Sequence, residues 1–336
     1  MKLLTVTIPC YNSQEYMEKC IKSLLPGGSR VQIVIIDDGS KDATGEIADR
    51  YAAQYPDIVT VVHQPNGGHG EGINQGLKHA QGKYFKVVDS DDWVSGDFNR
   101  FLDTLEACEK SGGVDLFVTN YYYEHADGKG NRSICYSNAL PEDRIFAWAD
   151  TKPFKLHQLL TIHSCTFRTE LLRNHTKELP KHVFYEDNLM VYQGLPYVRR
   201  MYYLNTDLYR YYIGREGQSV QRDVMTRRYM HQIIVTQKCF EACHLDDIQD
   251  KKQRKYLKHE LFMMFGISAL YARLNKSAEA DANLDKMWQE CRKFDAKWAN
   301  HFQNHTPVHL VCLPGKVGRN LSSSVYTLAN KVVRFN

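Results

Sequence analysis

VQIVIIDDGSKDATGEIADRYAAQY, residues 31–55, runs from a stretch rich in Val and Ile through two adjacent carboxylates into a helical repeat. β-branched side chains restrict χ1 and favour strands, so 31–36 reads as β. Ile47, Ala48, Tyr51 and Tyr55 recur at helical spacing, so the second half reads as a helix with one buried face. A strand with so few polar residues is covered on both sides, as in a parallel sheet whose crossovers are helices. Asp37 and Asp38 then stand at the carboxyl end of a strand, where open α/β sheets bind their ligands.

The same rhythm extends in both directions. LLTVTI (3–8) is a strand, followed by a helix carrying Met17, Cys20, Ile21, Leu24 and Leu25 behind an Asn/Ser cap. IVTVV (58–62) and YFKVV (84–88) bracket a helical piece around Ile73, Leu77 and Ala80. A helix over about 97–110, a strand at 114–119 and a hairpin around ADGKGN follow. From 140 to 215 the pattern is mixed and holds the aromatic run YYLNTDLYRYYIG. From about 225 it is helical, with a basic stretch KKQRKYLK and an apolar one LFMMFGISALYARL. The expected architecture is α/β with a mostly parallel central sheet over residues 1–215 and a helical C-terminal region over 216–336.

Each strand end carries polar residues. PCYN (9–12) supplies Pro9, Tyr11 and Asn12. DDGSKDAT reads as a helix start capped by Ser40 or Asp42, but a cap does not explain Asp37 and Asp38 side by side. A carboxylate there accepts from a uracil N3–H or a ribose hydroxyl. NGGHGEG (66–72) has four glycines in seven residues, backbone that lets a ligand or another segment come close. It is not the dinucleotide fingerprint, because G-x-G-x-x-G is absent and the stretch follows the third strand. His69 within it reads first as a structural, hydrogen-bonding histidine. FKVVDSDDW (85–93) sets Asp89, Asp91 and Asp92 at the end of an apolar run. Crowded carboxylates repel one another, so the cluster is either an Asp-rich turn or the seat of a cation. A divalent ion such as Mg²⁺ or Mn²⁺ takes one or two carboxylates and completes its shell with phosphate oxygens, a part that Asp89 and Asp91 suit.

Bulk properties exclude some classes. At 336 residues, 43% hydrophobic and 24% charged, the chain has the composition of a folded globular protein. A net charge of +4 makes no demand for nucleic acid. The nine cysteines are scattered without framework spacing, which reads as free thiols in a reducing cytoplasm. No segment approaches the roughly 20 apolar residues of a membrane span.

In order and spacing, TIPCYN, IDDGSKDAT, PNGGHGEGINQGLKHAQGKYFKVVDSDDW and FYEDNLM resemble the family 2 glycosyltransferases, inverting enzymes of the GT-A fold that use nucleotide sugars. The strong resemblance covers roughly residues 3–100, with weaker matches to about 220. It implies a nucleotide-sugar donor, most simply UDP-linked, and a Mn²⁺ or Mg²⁺ cofactor. It implies donor contacts from Pro9, Tyr11, Asn12, Asp37, Asp38, Asn66, Gly67, Asn74, Asp89 and Ser90, and from Arg215 or Arg210 in a segment folding over the donor. Asp91 is the implied metal ligand, with Asp89 near metal or ribose. Asp187 of YED is the implied catalytic base, although EDNL alone reads as a helix start with acids suited to the macrodipole. The implied acceptor is a glycan or lipid-linked glycan in bacterial surface polysaccharide synthesis. One departure is that Ile73 precedes Asn74 where many relatives have Arg.

Two other classes compete. A sugar nucleotidyltransferase also needs Asp-bound metal, but usually carries a basic Gly-rich loop after the first strand, where PCYN has no Lys or Arg. A non-catalytic nucleotide-sugar-binding protein fits if Asp187 stands apart from the other carboxylates. The tail 307–336 contains Lys316, Arg319, Lys331 and Arg334 and no acid, with Val325, Leu328, Ala329, Val332 and Val333 at helical spacing. It reads as a terminal helix packed on the domain, or as one resting peripherally on an anionic inner membrane face.

Overall fold

A computed structural model of the chain describes residues 2–213 and 222–313, with a few positions from 318 to 324. Contacts divide it into two compact units, one formed by the residues up to Phe154 and from Leu160 to the last strand, the other by Lys155–Leu159 with the C-terminal helices.

The first unit contains β1 (Lys2–Cys10), α1 (Met17–Leu24), β2 (Val31–Asp37), α2 (Thr44–Gln54), β3 (Val59–His63), α3 (His69–His79) and β4 (Gly82–Val87). There follow β5 (Trp93–Val94), α4 (Phe98–Lys110), β6 (Leu116–His125), β7 (Arg132–Ile134) and β8 (Ile145–Phe146). The unit closes with β9 (Cys165–Arg168), α5 (Thr169–His175), α6 (Glu186–Gly194) and β10 (Met201–Ile213). They build one ten-stranded sheet in the order β3-β2-β1-β4-β9-β6-β10-β5, with β7 beside β6 and β8 beside β10. β3, β2, β1 and β4 are parallel neighbours, as are β6 and β10. The sheet is therefore mostly parallel. Leu4, Val6, Ile8, Ile33, Val34, Ile35 and Ile36 are fully buried, so both faces of its centre are covered.

The rhythm fades after residue 140 because β9 inserts between β4 and β6, antiparallel to both. An antiparallel strand presents its beginning at the edge where its parallel neighbours end. That brings His163, two residues before β9, to the carboxyl end of β4. The expected caps are also displaced. Asp42 Oδ1 does accept from the Thr44 amide, but α2 begins at Thr44 behind Ala43, while Ser40 Oγ accepts from the Asn12 amide. α1 starts at Met17 behind Tyr16 with no side-chain cap.

α3 lies hard against β1. A Cβ on Gly76 would fall 2.1 Å from Thr7 Oγ1 and 2.5 Å from Thr7 Cβ, both in the buried interior. Gly76→Ala therefore costs about 1–3 kcal/mol by overpacking, read as a lower urea midpoint with unchanged slope.

The second unit contains α7 (Arg222–Arg227), α8 (Tyr229–Phe240), α9 (Lys251–Asn275), α10 (Ala278–Phe294), α11 (Ala296–Asn304) and α12 (Val308–Cys312). Its core stacks Phe265 on Trp288 at 4.5 Å, with Phe240 and Phe302 edge-on or tilted around them. Among the described residues no helix is long and apolar enough to cross a membrane. The nine cysteines are free thiols. The tail repeat around Val325–Val333, and with it the membrane reading, lies outside the described residues, as does Arg215.

Candidate active site

The ends of β1 to β4 converge on one edge, and their loops are held by carboxylates. Asp38 is almost fully buried. Its Oδ1 accepts from the Gly67 amide at 2.8 Å and from Gln64 Nε2 at 2.6 Å, and its Oδ2 from the Gly68 amide at 2.8 Å. Asp38 thus organises the glycine loop before α3, and Asn66 adds a bond to the Asp38 carbonyl. Gly68 has φ +85° with a built Cβ 3.0 Å from the His182 amide, so the loop needs glycine there. Asp37 accepts from the Ser40 amide and pairs with His63 at 2.9 Å. Burial works against its charge, but Ser40 and His63 hold its pKa below the usual carboxylate range.

Several expected donor contacts are engaged within the fold. Pro9 is buried in β1 beneath Gly72 of α3, with its Cβ 2.9 Å from where a Gly72 Cβ would lie. Asn74 clamps Leu179, accepting from its amide at 2.9 Å and donating to its carbonyl at 3.0 Å. Glu71 is held by Gln75, Asn74 and Lys181. Tyr11 is exposed, Asn12 Oδ1 accepts from the Lys41 amide, and Ser90 Oγ lies 2.8 Å from Ser13 Oγ.

At the end of β4, Tyr209 of β10 is the keystone. Its hydroxyl donates to Asp92 Oδ2 at 2.6 Å and accepts from the Asp89 amide at 3.2 Å, while the Tyr212 amide donates to Asp92 Oδ1. Burial, then the charges of Asp91 and Asp89, push the Asp92 carboxyl well above its ordinary pKa. His163 stands over this group within a ring of Tyr121, Tyr209 and Tyr211. Burial pushes its pKa down to about 4, against the pull of Asp89 and helped by Lys86 and His69, so its imidazole is neutral. Lys86 is itself buried and donates to the His163 and Cys165 carbonyls, which anchors the start of β9 against β4. Atoms of Asp89, Asp92 and His163 lie within 4.8 Å of one another, and Asp91 is not part of this group.

His69 is the connector. Its Nε2 lies 2.9 Å from Asp89 Oδ1 and its Nδ1 2.7 Å from Glu186 Oε1. Burial disfavours the charged ring, but Asp89 and then Glu186 outweigh it and hold the His69 pKa well above its usual value. An imidazolium donates from both nitrogens, so two hydrogen bonds lead from the end of β4 to the first turn of α6. Tyr185, left-handed at φ 69°, turns the chain into that helix. Glu186 is buried, and Asp187 follows it with Oδ1 accepting from Asn188 at 3.1 Å. Burial, then the charge of Glu186, push the Asp187 carboxyl up to about 7 against the opposing pull of His69, with Asp89 also within electrostatic reach. A carboxyl near neutrality in such a cluster suits proton transfer. Arg210 lies over the Tyr122 ring and 3.8 Å from Glu124.

The family model described as Glycosyl transferase family 2 matches residues 5–172, half of the chain. The chain belongs to glycosyl transferase family 2. Glycosyltransferase GlyA of Streptococcus pneumoniae is 28% identical over 241 residues, covering 69% of this chain and 33% of that protein. The minor teichoic acid biosynthesis protein GgaB of Bacillus subtilis is 25% identical over 264 residues, 74% of this chain and 27% of its own length. This family 2 chain thus spans about a third or less of the length of these two relatives. Among solved structures, S. aureus TarS 1–349 in complex with UDP-GlcNAc matches with a TM-score of 0.67 at 18% identity, over 97% of this chain and 92% of that one, a likeness of fold.

Family 2 enzymes of the GT-A fold typically use a divalent metal, and the residues here fit one. Two carboxylates and a neutral imidazole converge, His163 Nε2 lies 3.9 Å from Asp89 Oδ2, and a cation would relieve the charge crowding around Asp92. An imidazole among carboxylates suits Mn²⁺ better than Mg²⁺. Asp92 and His163 were not singled out as ligands by sequence, which favoured Asp89 and Asp91.

Proposed function

We propose that the chain transfers a sugar from a nucleotide-diphosphate sugar, most simply a UDP-sugar, to a hydroxyl of a glycan or lipid-linked glycan, with inversion. The observation that carries this reading is the Asp89–His69–Glu186 link, which sets Asp187, with a pKa of about 7, in the same electrostatic cluster as the carboxylates at the end of β4. The name of GgaB supports teichoic acid synthesis, and the UDP-GlcNAc complex of TarS supports the donor class. The reaction would be placed at the inner face of the membrane, where lipid-linked acceptors are reached.

In this scheme the acceptor oxygen bonds to the anomeric carbon as the bond from that carbon to the phosphate oxygen breaks, and the diphosphate leaves with the electron pair. The hydroxyl proton passes to the Asp187 carboxylate, on the face of the sugar opposite the diphosphate. Asp89, Asp92 and His163, with Asp91 beside them, would hold a divalent cation, which supplies charge neutralisation at the departing diphosphate. Asp37 and the loop held by Asp38 would frame the nucleoside.

A thermal-shift screen of nucleotide sugars with and without Mn²⁺ tests the reading, since a ligand at 100-fold its Kd adds about 2.7 kcal/mol of stability. Stabilisation by no nucleotide sugar would overturn it. Because the base acts deprotonated, kcat should rise about tenfold per pH unit below about 7 and level off above, the limb set by Asp187. A rate flat from about pH 5.5 to 8.5 would remove Asp187 from that role. EDTA should abolish turnover and Mn²⁺ restore it.

A further inference from the structure

The basic stretch at the start of α9 forms a site of its own. Lys251, Arg254, Lys255 and Lys258 recur at i, i+3, i+4 and i+7, which sets them on one face of the helix. With Lys297 and Trp298 of α11 they line a concavity of about 420 Å³. Its one carboxylate is Asp246, 2.6 Å from Lys297 and 4.0 Å from Arg254. Five cations therefore face one acid, an excess equal to the +4 of the whole chain.

Like charges at these spacings destabilise a helix, so the arrangement is unfavourable without an anion. Lys258 shows the strain. It sits 4.3 Å over the Trp298 ring, and burial, then the charges of Arg254 and Lys297, lower its pKa. Lys251 and Lys255 are exposed and meet no carboxylate among the described residues. The first amides of α9 are not what the site offers, because the Asp250 side chain already accepts from Lys252 and Gln253. What it offers is ammonium groups and one guanidinium, the donors that recognise phosphate.

We infer that this concavity binds the phosphate groups of a phosphate-bearing acceptor glycan. The inference rests on the glycosyl-transfer reading for the nature of the chain that carries the phosphates. Charge complementarity selects an anion, and the shape selects among sources. A membrane-binding face needs apolar side chains to insert, and none of the exposed large hydrophobic residues among those described lines this site. A single-stranded nucleic acid needs open aromatic faces for stacking, whereas Lys258 and Lys297 both lie over the Trp298 ring, at 4.3 and 5.1 Å. A flexible phosphodiester chain needs only the cations.

Isothermal titration of the full chain against a synthetic glycerol phosphate hexamer, run with and without UDP and Mn²⁺, tests this. The wild type should bind in a salt-sensitive manner, and the Lys251→Ala/Lys255→Ala double variant should lose about ten-fold in affinity while its UDP affinity is unchanged. Absence of hexamer binding, or equal binding by the variant, overturns the proposal. So does tighter binding through the same lysines to phosphatidylcholine vesicles with about 30% phosphatidylglycerol, or to a short single-stranded DNA. Failure of the chain to bind UDP or any UDP-sugar would instead strike the glycosyl-transfer reading, since the hexamer isotherm is measured independently.

Discussion

Asp187→Asn lowers kcat by about 10²–10⁴-fold and leaves donor affinity nearly unchanged. The substitution keeps the shape of the side chain and its contact to Asn188 while removing a carboxyl poised at about 7. The low-pH limb should vanish with it, because the residual rate no longer passes through a group titrating there. Glu186→Gln is the control. Glu186 is buried and bonded to His69, so its loss acts through positioning and stability before chemistry. Wild-type rates in Asp187→Asn with a dead Glu186→Gln would mean that the neighbouring carboxylate is the base.

His69→Ala should be the most destabilising single change in the site, by about 3–5 kcal/mol, because it leaves buried Glu186 without its partner. His69→Gln should recover part of this through one amide donor. The pH dependence has a definite sign. The folded pKa of His69 is raised, so its stabilisation is complete below the unfolded value of about 6.5 and is lost as pH rises through the folded value. Urea melts of wild type and His69→Gln should therefore converge on the alkaline side. A gap that widens with pH would mean that the ring is neutral in the folded protein.

The βα units were legible because strand and helix periods are local, and the places of Asp37, Asp89 and Asp187 beside element ends were legible because such residues punctuate elements. The use made of each carboxylate was not. Asp38 looked like a nucleoside contact, yet its oxygens hold the amides of Gly67 and Gly68, and that partnership depends on how two loops meet. Asp92 and His163 joined Asp89 only through the antiparallel insertion of β9 and the register of β10, which puts Tyr209 opposite Val94 and Tyr121. No periodicity encodes an insertion. Two signals were present in the sequence: a lysine inside the apolar run FKVV, and tyrosines recurring along 202–212. Both mark interior positions whose polar ends need partners.

The contacts that make the site join distant parts of the chain. His69 and Glu186 are 117 residues apart, Asp92 and Tyr209 also 117, and Asp89 and Tyr209 120. Loops this long close only after their entropy cost is offset by the sheet already formed, so these bonds belong to the late steps of folding. If Asp187 serves as the proposed base, a nascent or partly unfolded first unit, even one with β1 to β4 in place, would have no assembled proton acceptor and could not misdirect activated sugar. In refolding, activity should return in step with the slowest structural phase and never ahead of it.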